Sequence, residues 1–425
     1  FPQSTGCAPK EVEQTNDSLK VAYWGTNSMV SYPLYEFKQQ HPDVEVITDF
    51  QPYTEDDPFG EAFFKRISAE VMSGNGPDII IGKFGRMNAN KMMRSGAFAD
   101  LNEFLEADPE FDLSKYNANV LKAGQVEGKQ YIMPLTYTIP LVLTTQELLD
   151  KTGFDISTAD NYNAFLEECL KYKQANIPGA PELSLDYYMR PYLADAVDYD
   201  TGEVKINTPE NRETIRLNYE AVASLSDAEG YGSGGFYAQN ISENKAVFAQ
   251  ATLPAGMYMI SYRALKGIAT PVMAAVRDAE GRLMAEIDEY AMINANSPNK
   301  ENAYAFLKLL MSDENYLSRS QQATISISND AIQTYLEEEM VGKEEKLADL
   351  LQGDTGELEE VAGLTQEEVD AYMDILAEVD GAYIREKDVE DAHTETIEPY
   401  YDGETADLDG CIQNFEDKLK IIASE

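Results

Sequence analysis

The chain has 425 residues, 43% of them hydrophobic, and carries 33 basic against 76 acidic side chains, a formal net charge of −43. This length predicts two domains, because a single hydrophobic core rarely grows beyond about 250–300 residues. The negative charge disfavours nucleic acid and anionic lipid as partners. Two histidines, three cysteines and the lack of an uninterrupted apolar run of membrane-spanning length predict no metal cluster, no cofactor and no transmembrane helix.

The first hundred residues predict a βαβαβ unit. A strand (LKVAYW) begins at Leu19, and further segments read as helix (32–40), strand (44–50), helix (59–72) and a strand of three isoleucines (79–81). The carboxyl ends of parallel strands lie at one edge of a sheet, where open α/β sheets bind ligands. We therefore expect 24-WGTN-27 and 82-GKFGR-86 to lie together at a binding edge, although an ordinary strand-to-helix loop has a similar composition.

The stretch 126-VEGKQYIMPLTYTIPLVLTTQELLD-150 predicts a hairpin around Glu127–Gly128, an extended segment and then a helix. Pro134 and Pro140 disfavour a continuous helix, and an extended segment of this kind can pass from one domain to another. Helices are expected next at about 159–175 and 208–226. A strand and a helix follow within 287–312, and charge-rich helices occupy 330–380.

The cysteines fall into two groups. Cys169 and Cys411 lie on apolar helical faces, which predicts buried free thiols, and their spacing leaves a disulfide between them open. Cys7 precedes a polar run, 8-APKEVEQTNDS-18, which is typical of a lipid-anchored cysteine and its tether. Ser4 stands where such an anchoring signal normally has leucine, and a frayed N-terminus with an incidental cysteine is the alternative.

Five segments, taken in order, resemble one family. They are the strand and helix of NGPDIIIGKFGRMNANKMMRSGAFADL, the crossover GKQYIMPLTYTIPLVLTTQELL, the strand NKAVFAQATLPAGMYMI, the return IDEYAMINANSPNKENAYAFLKLLMSDE and the terminal helix of PYYDGETADLDGCIQNFEDKLK. Similar motifs are spread over nearly the whole chain, from about 18 to 424. The chain is similar to bacterial extracellular solute-binding proteins of family 1, the maltose-binding-protein-like lipoproteins that serve ABC importers.

The resemblance implies an α/β, two-lobed periplasmic-binding-protein-like (type II) fold, with discontinuous lobes joined by hinge strands that close over a ligand. Residues 1–17 would form the tether. One lobe would take 18–135 plus 290–325, and the other 142–286 plus 330–425, with hinges near 136–141, 287–291 and 322–329.

The same resemblance implies a sugar site, in which aromatic rings stack on the ligand and polar groups satisfy its hydroxyls. Its candidate residues here are Trp24, Asn27, Lys83, Phe84, Arg86, Tyr137, Tyr187, Tyr188, Arg190 and Tyr258. Each tyrosine has core packing as its alternative, and Lys83 and Arg190 have surface ion pairing as theirs. Gly82 and Gly85 stand where sugar-binding relatives carry a tryptophan and an acidic residue, which disfavours a maltose-type ligand.

The expected function is capture of a neutral solute, a sugar or oligosaccharide, for delivery to ABC permease subunits. The chain would be extracellular and monomeric, attached to the membrane only through a lipid on Cys7. A glycan-active enzyme using paired carboxylates, or a surface protein that feeds a sensor, are the alternatives. No nucleophile motif, phosphate loop or metal spacing accompanies the acidic residues, so no enzymatic activity is expected.

Overall fold

The computed structural model describes residues 12–83, 85–175, 182–184, 190–222, 241, 246–251, 255–319, 324–348 and 358–424. Its strands are β1 Ser18–Gly25, β2 Glu45–Pro52, β3 Ile79–Lys83, β4 Gln125–Val126, β5 Lys129–Gln130, β6 Met133–Thr138, β7 Leu141–Thr145, β8 Glu182–Ser184, β9 Val197–Asp198, β10 Glu203–Val204, β11 Ala246–Ala251, β12 Pro271–Ala275, β13 Met284–Ile293, β14 Ile325–Ser326, β15 Glu345–Ala348, β16 Leu358–Val361 and β17 Gly381–Tyr383.

The helices lie between and after these strands along the chain. They are α1 Ser31–Gln40, α2 Glu61–Met72, α3 Ala89–Arg94, α4 Asn102–Leu105, α5 Ala118–Leu121, α6 Gln146–Thr152, α7 Tyr162–Ala175, α8 Pro209–Val222, α9 Ala255–Lys266, α10 Lys300–Met311, α11 Asp313–Leu317, α12 Asn329–Met340, α13 Gln366–Ala377, α14 Lys387–Thr396, α15 Glu398–Tyr401 and α16 Leu408–Ser424. Within the described ranges, none of them combines the length and the apolar character needed to cross a bilayer.

The large sheet has the strand order β14-β6-β13-β3-β1-β2, and β17 pairs with the first half of β13. β1 pairs in parallel with both β2 and β3, which confirms the predicted βαβαβ unit. The isoleucines of β3 are buried, as a central strand covered on both faces requires. β1 and β3 end at Gly25 and Lys83, so the two motifs expected at one edge do lie at the same end of the sheet.

A second sheet, in the order β12-β7-β11-β8, is joined to the first by short crossings. β6 belongs to the large sheet and β7 to the second, and only Ile139 and Pro140 separate them. The chain returns between β12 and β13 through residues 276–283. The sequence predicted that the chain passes between domains in this extended segment, because Pro134 and Pro140 disfavour a continuous helix.

Three hydrophobic clusters form the interior. The largest covers the large sheet and also takes in side chains of α12, α13 and β7. The second joins β7, β11, α7 and α8 around Phe165 and Phe248, and the third packs residues 192–206 against α14, α15 and α16 around Phe415. Cys169 and Cys411 are buried free thiols in the second and third clusters, as predicted, and are not joined by a disulfide.

Candidate functional site

A cavity of about 450 Å³ lies where the chain passes between the two sheets. Its walls come from the β6–β7 crossing, the start of β13, the turn before β13, the segment after residue 189 and the region from β17 to α14. The lining residues are Thr138, Pro140, Tyr162, Arg190, Pro191, Leu193, Val276, Arg277, Asp278, Arg282, Met284, Glu286, Tyr383, Arg385 and Glu390. This volume is within the range of small-ligand sites, about 300–1,000 Å³.

Strand alternation decides which side chains reach the cavity. Thr138 of β6 is paired with Glu286 of β13, and both line the cavity. One residue along each strand, Tyr137 is paired with Ile287, and both are buried in the largest cluster. Successive side chains of a strand point to opposite faces of the sheet, so the register of β6 against β13 separates a cavity wall from the core.

The wall formed by β17 and α14 is a network of charged hydrogen bonds. The Arg385 guanidinium donates to both carboxylate oxygens of Glu390 through Nε (3.1 Å) and Nη2 (2.9 Å), and it lies 3.6 Å from Glu286. The Tyr383 hydroxyl donates to Oε2 of Glu286 (2.9 Å). These bonds hold the polar atoms of the wall in fixed directions, as a site that recognises ligand polar groups requires.

The two glutamates of this wall differ in acidity. Burial raises the pKa of Glu286, although Arg385 and Tyr383 act to lower it. Burial also acts to raise the pKa of Glu390, but the hydrogen bonds and charges of Arg385 and Arg190 outweigh it and hold that pKa below its usual value. Glu390 is therefore ionised at neutral pH, as an acceptor for two guanidinium groups.

Every arginine in the lining has a carboxylate partner. The pairs join Arg190 with Glu390 and Glu398, Arg277 with Asp380 and Glu378, Arg282 with Asp278 and Asp195, and Arg385 with Glu390 and Glu286. The lining is thus strongly polar but nearly balanced in charge. Among the described residues, no three His, Cys, Asp or Glu side chains come together as a metal site.

Of the residues predicted from the sequence, Arg190 lies in this cavity wall. Tyr137 does not: its ring is 1% exposed and belongs to the core, so the neighbouring Thr138 takes the cavity-lining place. Phe84, Tyr187 and Tyr188 lie outside the described residues, as does Cys7. Asn27 is in a 3₁₀ turn (Asn27–Met29) and Tyr258 is in α9, and the structure describes neither side chain.

Trp24, Lys83 and Arg86 form a separate group at the edge of the large sheet. Trp24 is half-buried against the core. Lys83 donates to Glu289 (3.1 Å), and Arg86 pairs with Glu61 (3.2 Å). The Arg86 guanidinium also stacks on the Phe59 ring, 4.4 Å from its centroid. None of the three lines the cavity, but Lys83 is paired with Glu289 on β13, the strand that carries the cavity-lining Glu286.

The two unexpected glycines of this edge allow close packing. A Cβ at Gly82 would lie 2.3 Å from the Tyr290 ring, which occupies the space that a larger residue would need. At Gly85, where φ is +61°, a Cβ would lie 2.4 Å from Cβ of Arg385. Gly85 therefore lets the edge loop approach the segment that carries the cavity wall.

Five further residues line the cavity and were not predicted from the sequence: Thr138, Glu286, Tyr383, Arg385 and Glu390. Thr138 could have been found from the alternation of β6, once the opposite face was known to be core. The segment 381-GAYIREKDVE-390 has no motif that separates it from other charged helix starts. It reaches the cavity through contacts made in the folded chain, the pairing of residues 381–383 with β13 and the ion pair of Glu390 with Arg190.

The family model described as "Bacterial extracellular solute-binding protein" matches residues 26–316. The sugar-binding protein MalE from Xanthomonas citri superposes with a TM-score of 0.64 at 13% identity, covering 96% of this chain and 97% of that chain.

Two further structures are similar at this level. The cyclic alpha-maltosyl-1,6-maltose binding protein from Arthrobacter globiformis has a TM-score of 0.59 at 17% identity, covering 96% of this chain and 98% of its own. An ABC substrate-binding protein from Listeria monocytogenes, in complex with cycloalternan, has a TM-score of 0.58 at 15% identity, covering 96% and 99%. The fold is the type II periplasmic-binding-protein-like α/β fold, and the chain belongs to the family of bacterial extracellular solute-binding proteins.

Proposed function

We propose that the chain is the solute-binding component of an ABC importer, and that it captures a neutral sugar or oligosaccharide in the cavity between its sheets. The observation that carries this proposal is the cavity of about 450 Å³ at the chain crossing, whose arginines are all paired with carboxylates. The sugars named for the structural relatives, cycloalternan and the cyclic maltosyl-maltose, support a carbohydrate.

The chemistry of the lining suits hydroxyl groups. A sugar hydroxyl both donates and accepts hydrogen bonds, and the wall offers guanidinium donors, carboxylate acceptors and the hydroxyls of Thr138 and Tyr383. Pro140, Val276 and Met284 supply apolar surface for the C–H face of a ring. A neutral ligand needs no counter-charge from a lining that is already balanced, whereas a charged ligand would have to break an existing pair.

Ligand capture would involve closure of two lobes. One lobe would take 18–135 plus 290–325 and the other 142–286 plus 330–425, with hinges near 136–141, 287–291 and 322–329. Closure would bring Trp24, Lys83 and Arg86 toward a ligand held by the far wall, with Phe84, Asn27, Tyr187, Tyr188 and Tyr258 as further candidate contacts. Small-angle scattering should show a smaller radius of gyration at saturating ligand, and an unchanged radius would argue against a clamp.

We further propose that a lipid on Cys7 anchors the chain outside the cell, and that it hands the solute to permease subunits as a monomer. The high negative charge favours a soluble monomer through self-repulsion. Removal of the first 11 residues should leave the melting temperature unchanged while abolishing membrane attachment in cells. Removal of the first 16 residues should lower it, because Gln14, Thr15 and Asn16 hydrogen-bond to residues 297–302 at the start of α10. A drop of several degrees after removal of the first 11 residues would contradict the role of a tether.

A thermal-shift screen tests the proposed function directly. Maltose, maltotriose, mannotriose and cycloalternan would be added to the purified chain, and a sugar that binds should raise its melting temperature. Glu390→Gln should abolish the shift, because it removes the charge that fixes two cavity arginines. Glu395→Gln, on the solvent side of the same helix, is the matched control.

Product analysis separates the proposal from the enzyme alternative. After long incubation, chromatography should recover each sugar unchanged, whereas a glycan-active enzyme would release products. No shift with any neutral glycan, and a shift with a charged solute instead, would overturn the carbohydrate assignment.

A further inference from the structure

The guanidinium of Arg190, which lines the cavity, donates hydrogen bonds to two glutamates. Nη1 donates to Glu390 (3.3 Å) and Nη2 donates to Glu398 (2.9 Å). Glu390 is shared with Arg385, but Glu398 does not line the cavity and belongs to α15 behind it. The orientation of a ligand-facing arginine therefore depends on a carboxylate that the ligand does not reach.

Behind Glu398 lies His393, whose imidazole is fully buried. Its Nε2 is 2.8 Å from the Tyr192 hydroxyl, which in turn is 3.2 Å from the Tyr401 hydroxyl. Its Nδ1 has no hydrogen-bond partner among the described residues and lies 3.8 Å from Oε1 of Glu398, the same oxygen that accepts from Arg190. One carboxylate oxygen thus lies between the guanidinium and a buried titratable ring.

We propose that Glu398 and His393 are positioning residues for Arg190, and that protonation of His393 draws Glu398 toward the imidazolium, loosens Arg190 and weakens ligand binding. The charged groups that face the ring are Arg190 from the segment after residue 189, Glu390 from α14 and Glu398 from α15; the phenols of Tyr192 and Tyr401 complete the polar surroundings, and α16 contributes the Phe415 ring. The part that concerns ligand binding rests on the proposed function, whereas the part that concerns Arg190 does not.

The electrostatics agree with this arrangement. Neutral His393 leaves the Glu398 carboxylate to Arg190, while an imidazolium at 3.8 Å competes for it and also repels the guanidinium. Burial is the main cause that lowers the pKa of His393, and Arg190 lowers it further, whereas Glu398 and Glu390 act in the opposite direction. The change should therefore occur on the acid side of about pH 6.5.

Nuclear magnetic resonance tests the positioning role without any ligand. The chain has only two histidines, so His41→Gln identifies the His393 signal. The Nε–H signal of Arg190 should shift with the same midpoint as His393 and should stay constant in His393→Gln. In Glu398→Gln the midpoint of His393 should fall, because a neighbouring negative charge is lost, while Glu395→Gln should leave it unchanged.

Binding measurements test the consequence. With maltotriose, mannotriose or cycloalternan as the probe, affinity should fall about tenfold between pH 7.5 and pH 5, the loss expected for one charge-assisted hydrogen bond. His393→Gln and Glu398→Gln should flatten this profile, and His41→Gln should retain it. An Arg190 signal that ignores the titration of His393, or a wild-type pH profile in His393→Gln, overturns the proposal. Failure of every glycan to bind defeats the proposed function, and the Arg190 signal then decides the positioning role alone.

Discussion

Tyr137 and Thr138 are neighbours on β6 whose surroundings predict opposite phenotypes. Tyr137 is 1% exposed inside the largest cluster, and Thr138 faces the cavity opposite Glu286. Tyr137→Ala should lower the free energy of unfolding by about 3–5 kcal/mol, the usual cost of removing a buried aromatic ring and leaving a cavity. That is a large share of a typical total of about 5–15 kcal/mol.

Thr138→Val should do the reverse. The substitution keeps the shape of the side chain and removes a partly exposed hydroxyl, so the free energy of unfolding should change by less than about 1 kcal/mol. The affinity for a bound glycan should fall about three- to tenfold, because one hydrogen bond contributes about 1 kcal/mol. Tyr137→Phe is the control for Tyr137→Ala. It keeps the buried ring, so it should retain most of the stability that Tyr137→Ala loses.

Urea denaturation followed by circular dichroism gives the stability of each variant, and calorimetric titration gives the affinity. The reasoning is refuted if Tyr137→Ala unfolds at the wild-type urea concentration but no longer binds, since the ring would then be a ligand contact. It is equally refuted if Thr138→Val is strongly destabilised, because the hydroxyl would then belong to the core network.

Three further outcomes are expected. The buried Glu289 carboxylate accepts hydrogen bonds from Lys83 and Arg319. Glu289→Gln removes the negative charge between these two cations and should lower the free energy of unfolding by about 3–5 kcal/mol; a loss below about 1 kcal/mol would contradict this. Gly85→Ala should cost about 1–3 kcal/mol and also weaken glycan binding through contact with Arg385, whereas Gly96→Ala, which shares the positive φ but has open space, should cost only the backbone strain. Burial and the adjacent Glu289 raise the pKa of Asp288 to about 7. The folded state therefore binds more protons than the unfolded state between about pH 4 and 7, and this group costs stability as pH rises. Asp288→Asn should accordingly stabilise the chain more at pH 8 than at pH 5, and denaturation curves at both values check it.

Much of the local architecture follows from sequence pattern. The three isoleucines of β3, the four-residue spacing of Phe63, Ile67 and Val71 on α2 and the strand before Trp24 all report burial that each element needs by itself. The order of strand and helix patterns predicts a parallel βαβαβ unit. Pro134 and Pro140 predict the extended segment in which the chain crosses into the second sheet. The family resemblance, carried by five segments in order, was confirmed by the family model over residues 26–316.

The cavity was predicted less well, because its walls come from segments far apart in the chain. Arg190, Glu286 and Arg385 meet only when β17 adds to β13 and the segment after residue 189 packs against α14. Periodicity identifies a buried face but not which distant segment covers it. A candidate such as Tyr137 could therefore be placed on the correct strand yet on the wrong face.

The sequence by itself determined the elements, their parallel order in the first unit and the point at which the chain leaves the first sheet. Tertiary structure alone decided the register of β6 against β13, which pairs Thr138 with Glu286 beside the cavity and Tyr137 with Ile287 in the core. The tertiary structure also explains the glycines at positions 82 and 85, because the Tyr290 ring and Arg385 fill the space that a larger side chain would occupy. The physical reason is that local patterns depend on each residue's own preference for burial, whereas register and close packing depend on partners that folding brings from far along the chain.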